Sequence, residues 1–279
     1  MRRLLPLSLA FALHATSWAN SAIDVVILCD AGYPPYSYAE GGEAKGIYTD
    51  ILREAFLRMP DYRVEVRPVA WARGLAELAS GKAFALFPPY YRPRERPWMD
   101  YSRPLVMESV AVFVRAELVR ELPVEDFPYG YGGLRVGVNR GFRSIVDPDY
   151  QTMVESGVLR ESYANDNRTN LLKLYRRRID VYINDRRAVL WQLSKMQREG
   201  VFAADELDWL VEGPWLSGEA GYLGYTRVNT SSYPYKDAFK QRLDQILVAL
   251  ERDGTVYRIV KGYDLDAALF VRRTKDGLR

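Results

Sequence analysis

Between Leu86 and Ser102 the chain reads LFPPYYRPRERPWMDYS. Three arginines, Arg92, Arg94 and Arg96, surround Glu95, and Tyr90 and Tyr91 precede them. A guanidinium is permanently charged and planar, and its fork of N–H donors matches a carboxylate or phosphate. The apolar run Ala83–Phe87 leads into this stretch and Pro88-Pro89 ends it. A buried strand that gives way to a rigid loop of aromatics and arginines suits one task, holding a fixed cation at the mouth of a cleft for an anion. The competing use is a solvated loop whose arginines pair with Glu95 or Asp100.

Other groups with chemical potential also stand where strands end. Asp30 follows the β-branched run Ile23–Leu28 and precedes Tyr33-Pro34-Pro35-Tyr36. Asp185 closes Ile179–Ile183 through Asn184, and could equally cap the helix that follows. Phe142 follows Leu134–Val138 and the turn at Gly141, where a helix start would expose free N–H groups. Ligands of α/β folds collect at the carboxyl ends of strands. Tyr36 and Tyr90 offer flat apolar faces with a polar tip, and either could instead be packing. Much catalytic chemistry is absent. The single histidine, His14, lies in the N-terminal segment, and Cys29 is the single cysteine. That excludes Ser-His-Asp and Cys-His catalysis, an intramolecular disulfide and a cysteine metal cluster, and no cofactor is expected. An enzyme reading would need Glu95 or Glu108 as a buried general acid.

These groups need a scaffold. The first residues carry an export pattern: Arg2 and Arg3, the short apolar segment Leu4–Leu13, then Ser17-Trp18-Ala19. Cleavage is expected after Ala19, with Ala22 as second choice, giving a periplasmic location. The formal charge is +3, and Arg2 and Arg3 supply two of those positive charges. The remaining chain is near neutral and has no basic block, so no nucleic-acid partner is expected. Beyond the signal at 1–19, strand and helix patterns alternate. Strands are read over Ile23–Leu28, Val64–Val69, Ala83–Phe87 and Val110–Val114, with helices over Tyr48–Met59 and Trp71–Ser80. A charged stretch, Arg115–Asp126, reads as a crossing. A second series has strands over Leu134–Val138 and Ile179–Ile183, and helices over Asp149–Gly157, Asn165–Arg178 and Ala188–Glu199. Val201–Trp215 is mixed, and Gly221–Thr226 is a returning strand. The amphipathic helix Tyr235–Arg252 and a short one over Tyr257–Tyr263 close the fold. The expected fold class is therefore α/β, two lobes joined by two hinge crossings. The lobes are expected at 20–114 with 221–265, and at 115–220, leaving 266–279 as a tail.

On particular residues the chain resembles the family-3 extracellular solute-binding proteins. They are Asp30 with Pro35-Tyr36; Gly46 and Asp50; Trp71 through Gly81; Arg94-Glu95-Arg96 followed by Met99 to Pro104; Gly137 and Gly141; and Asp180 with Asn184-Asp185. The resemblance implies a type II periplasmic-binding fold, a monomer that closes two lobes over a small polar solute. The expected solute is an amino acid or related zwitterion. It would be passed to an ABC permease, or sensed for a membrane kinase or chemoreceptor. The resemblance further implies that Arg94 or Arg96 grips an α-carboxylate and that Asp185 takes the α-ammonium. Asp30 would add a contact to a cationic group, and Tyr36 would stack on the apolar part. Pro88-Pro89-Tyr90-Tyr91 stands where amino-acid binders usually place small hydroxyl residues, and Phe142 where they place threonine. Those tyrosines and Phe142 favour a larger or more aromatic solute.

Overall fold

The computed structural model describes residues 22–123, 125–140, 147–203, 207–263 and 272–273. In chain order the first elements are β1 (Ile23–Asp30), β2 (Gly32–Tyr33), β3 (Ser37–Glu40), β4 (Glu43–Lys45), α1 (Ile47–Leu57) and β5 (Tyr62–Val69). They are followed by α2 (Trp71–Ala79), β6 (Ala85–Phe87), β7 (Met99–Tyr101) and β8 (Val106–Arg115). Next come β9 (Arg135–Asn139), α3 (Pro148–Glu155), β10 (Arg160–Ala164), α4 (Asn167–Tyr175), β11 (Val181–Asp185) and α5 (Arg186–Arg198). The chain ends with β12 (Leu210–Gly221), β13 (Gly224–Thr226), α6 (Lys236–Arg252), α7 (Thr255–Gly262) and β14 (Arg272–Arg273).

Two sheets organise the chain into two lobes. The first has the order β5-β1-β6-β13-β7 and the second β10-β9-β11-β8-β12-β14. In the first lobe β1 lies parallel between β5 and β6. In the second, β9 lies parallel between β10 and β11. Parallel strands are buried on both faces, and each sheet here carries an apolar cluster on either side. The periodic positions of α1 explain one of these clusters. Ile47, Ile51, Leu52 and Ala55 fall on one helical face and pack with Val25, Ile27 and Phe239. Among the described residues no helix is long and apolar enough to cross a membrane.

The crossings differ from the expected boundaries. β8 pairs with β11 and β12, so all of it belongs to the second sheet, and the chain changes lobes before Val106 rather than at 114. The return lies between Gly221 and Gly224. β12 is one long strand over the end of the stretch read as mixed. Its alternation is broken by Gly213, Pro214 and Gly218, and register shifts occur on either side of Trp215. Trp215 is exposed. The segment 32–45 folds as a three-stranded meander, with Gly41 and Gly42 at its tip in positive φ. Asp166 caps α4, its Oδ1 accepting the Thr169 N–H at 2.7 Å.

Gly46 pins the meander to α1. Its φ is +115°, and a Cβ there would stand 2.5 Å from the Tyr36 carbonyl oxygen. The neighbour is backbone, held by the bonds Ile47 N to Pro35 O and Tyr48 N to Tyr36 O, and cannot yield cheaply. Gly46→Ala should therefore lower unfolding free energy by about 2–4 kcal/mol, combining backbone strain and overpacking. Urea denaturation followed by tryptophan fluorescence reads this directly, and an unchanged midpoint would show that the turn relaxes freely.

Candidate functional site

The carboxyl ends of both sets of parallel strands face one cleft of about 390 Å³ between the lobes. That is the volume range of small-ligand pockets. The first lobe contributes Asp30 from the end of β1, Tyr33 and Pro34 from the meander, and Trp71 from the start of α2. Pro88, Tyr90 and Arg96 come from the loop after β6. The second lobe contributes Asn139 and Arg140 from the end of β9, Asn165, Asp166 and Asn167 at the end of β10, Asn184 from β11 and Gln192 from α5.

Of the two candidate arginines, Arg96 lines the cleft and Arg94 is exposed. The Arg96 guanidinium lies 5.8 Å from the Trp71 ring centroid, and its Nη1 is buried without a hydrogen-bond partner. Among the described residues it forms no ion pair. A buried donor left unpaired costs about 1–3 kcal/mol, more when charged, so this donor is set for an acceptor that the described residues do not supply. Arg92, by contrast, is occupied. It donates to both oxygens of Glu219 at 2.5 and 2.7 Å and sits over the Tyr90 ring. Asp30 points its Oδ1 back at the Gly32 N–H, 2.9 Å away. Burial raises its carboxyl above the ordinary range, against the lowering effect of that N–H.

The second-lobe wall is a lattice of amides. Asn139 donates to Asn167 at 2.5 Å, Asn184 donates to Asn167 at 2.8 Å, and Asn170 donates to Asn139 at 2.8 Å. The Tyr182 hydroxyl accepts from Asn184 at 2.6 Å and donates to Asn167 at 2.9 Å. Such a cross-braced set holds its outward polar atoms in fixed positions. Sequence reading missed this wall. The signal was the recurrence of asparagine after three successive strands, at Asn139, Asn165 with Asn167, and Asn184.

Tyr36 and Asp185 do not line this cleft. Both are fully buried beside it. The Tyr36 hydroxyl donates to Asp185 Oδ2 at 3.0 Å, joining the first lobe to the second, and its ring stacks on Tyr33 at 5.2 Å. Asp185 Oδ2 also accepts the Ser109 N–H at 3.2 Å, and its Oδ1 caps α5 by accepting Ala188 N–H at 2.8 Å. Burial raises this carboxyl to about 6, against the opposing pull of the Ala188 N–H and the Tyr36 hydroxyl. In this structure the Asp185 carboxylate and the Tyr36 hydroxyl, expected to meet a solute, are engaged with each other as an interlobe clip. A second contact across the lobes sets Tyr38 against Trp191 at 5.8 Å. Asp185→Ala strips the α5 cap and orphans Tyr36 and Ser109. It should cost about 2–3 kcal/mol of stability yet change solute affinity less than about tenfold. Calorimetry and thermal melts on the same variant separate the two effects. Lost affinity with unchanged melting would restore Asp185 to the binding surface.

Glu108, at the start of β8, is also fully buried. Its Oε2 accepts from Tyr33 and Tyr90 and its Oε1 from Tyr48, all at 2.5 Å. Tyr90 therefore has two roles, one face on the cleft and its hydroxyl on the crossing strand. Neither Glu108 nor the exposed Glu95 lines the cleft. Phe142 and Gly141 lie outside the described residues.

A family model for bacterial extracellular solute-binding proteins, family 3, matches residues 25–266. No match to a curated protein is found. Several solved structures share the fold. One is an ancestral arginine-binding protein bound to arginine, 17% identical, with a TM-score of 0.61 over 87% of this chain and 98% of that one. A second belongs to a study of glutathione import via GshT and the cystine ABC importer TcyBC of Streptococcus mutans. It is 16% identical, with a TM-score of 0.63 over 87% of this chain and 95% of that one. A third is a histidine kinase sensor domain with similarity to periplasmic binding proteins, 18% identical, with a TM-score of 0.60 over 87% of this chain and 96% of that one.

Proposed function

Because this chain belongs to the bacterial extracellular solute-binding proteins, family 3, we propose that it is an exported receptor for an amino acid or related zwitterion. The two lobes close over the solute, and the closed form is handed to an ABC importer. One observation carries the reading: the buried, unpaired Nη1 of Arg96, a residue that lines a cleft built from both lobes. A carboxylate supplies the missing acceptor, and exclusion of water strengthens that charge-assisted bond. Asp30, at the neighbouring strand end, takes the ammonium, and Trp71, Tyr33 and Tyr90 pack on the apolar stem. A solute that touches both walls binds the closed form better than the open one, so it shifts the population toward closure. Export places the receptor in the periplasm, with the signal removed after Ala19.

Native mass spectrometry of the exported protein, followed by calorimetric titration with an amino-acid panel, tests this reading. A retained zwitterion or submicromolar binding supports it, and no binding of any amino acid at millimolar concentration overturns it. A sensor role on the same fold is favoured by the likeness to a kinase sensor domain. Co-purification with a permease or with a sensor kinase separates the two outputs.

A further inference from the structure

The two lobes present the cleft with the same pair of charges. In the first lobe, Asp30 ends β1 and Arg96 follows the neighbouring parallel strand β6, the two strands being paired at Cys29 and Phe87. In the second, Arg140 ends β9 and Asp166 follows the neighbouring parallel strand β10. The Arg140 N–H bonds the Ala164 carbonyl at 2.8 Å and so ties those two ends together. Arg140 forms no ion pair among the described residues, and its guanidinium rests 5.9 Å from the Tyr163 ring centroid. Arg96 likewise rests near an aromatic ring, that of Trp71, although Trp71 lines the cleft and the exposed Tyr163 does not. Each aspartate spends one lone pair on a backbone N–H, Gly32 for Asp30 and Thr169 for Asp166, and keeps acceptor capacity for a cation. The amides of Asn139, Asn167 and Asn184 line the same cleft from the second lobe.

From this doubled arrangement we infer that the solute carries an amino-acid head at each end. One carboxylate meets Arg96 and one ammonium meets Asp30. The second carboxylate meets Arg140, the second ammonium meets Asp166, and the connecting chain crosses the amide wall. A single-headed amino acid that engages the first lobe leaves Arg140 and Asp166, both exposed in this structure, without a partner and so forgoes the contacts that a two-headed solute makes. The inference rests on the receptor reading above and specifies its solute.

The test is titration calorimetry of the mature protein with two sets of probes. The two-headed set is meso-diaminopimelate and L-cystine; the single-headed set is L-lysine, L-glutamate and L-glutamine. The expected result is at least one two-headed probe bound about tenfold or more tighter than every single-headed one. Arg140→Gln should abolish that advantage by weakening the two-headed probes about tenfold or more, with the melting temperature unchanged. Arg96→Gln should weaken both sets. Single-headed probes bound as tightly as two-headed ones, or an advantage that survives Arg140→Gln, overturns the two-headed solute and leaves the receptor reading standing. If folded protein binds no probe of either set, the receptor reading fails and this inference fails with it.

Discussion

Arg96→Gln should weaken binding of a carboxylate-bearing solute by about 30-fold or more, whereas Arg94→Gln should leave it within about twofold. The lower bound follows from the 2–5 kcal/mol typical of removing one partner of a buried, hydrogen-bonded charge pair. Arg96 has the geometry for such a pair: Nη1 is out of water, the ring of Trp71 lies 5.8 Å from the guanidinium, and no carboxylate of the described chain reaches it. Arg94 projects into solvent, where an ion pair is worth at most about 1 kcal/mol. The unliganded protein should show the opposite ranking. Losing the ring contact costs about 0.5–1 kcal/mol, but removing a buried unpaired charge returns a comparable amount. The melting temperature of Arg96→Gln without solute should therefore be equal to or above that of the parent. Calorimetry on both variants with one bound amino acid checks the first half, and thermal melts check the second. If Arg94→Gln lost affinity instead, the loop would have to turn over on closure and the site described above would be misassigned.

The fold was legible because most elements obey one period each. Ile23–Leu28 is β-branched and unbroken, and the α1 and α6 faces repeat at helical spacing, so strand and helix fell within a few residues of their observed limits. Elements that escaped were those whose pattern is set by tertiary pairing. β10, Arg160–Ala164, is mostly polar and became a strand because β9 offered an edge, and β12 became one through β8 despite its glycines and proline. The same distinction divides the site. Asp30, Tyr90 and Arg96 could be picked because strand ends point at the cleft in any open α/β sheet. Asp185 also ends a strand, and sequence could not show that its two oxygens are already taken by Tyr36, Ser109 and Ala188, contacts spanning up to 149 positions of chain. Which arginine of Arg92, Arg94 and Arg96 turns inward depended on Glu219, a distant residue that captures Arg92.

Raising pH from about 5.5 to 8 should lower the melting temperature by roughly 5–10 °C, and Glu108→Gln should flatten that slope. Burial pushes the Glu108 carboxyl up to about 8, and the Asp185 carboxylate reinforces the rise. The hydroxyls of Tyr33, Tyr48 and Tyr90 oppose it by donating to the ionised form. Those three hydroxyls, Tyr36 and Asp185 are the titratable groups that face it, and among the described residues no lysine or arginine is hydrogen-bonded to it. In the unfolded chain the same carboxyl titrates near its ordinary 4.5. Between the two values the folded protein holds a proton that the unfolded chain has released, so stability is greatest at the acid end of the window and falls as pH climbs toward 8. Each pH step inside the window costs up to about 1.4 kcal/mol per proton, and a lobe pair of this size converts that into about 2–4 °C. Asp185, raised to about 6, adds to the decline only at the acid end. Glutamine keeps an oxygen for the tyrosine hydroxyls and offers its amide to a hydroxyl oxygen, while carrying no proton to lose. Glu108→Gln should therefore match the parent near pH 5.5 and melt above it at pH 8. A parent curve that is flat or rising from pH 6 to 8 would mean that the three tyrosine hydroxyls outweigh burial and hold Glu108 ionised beneath the cleft.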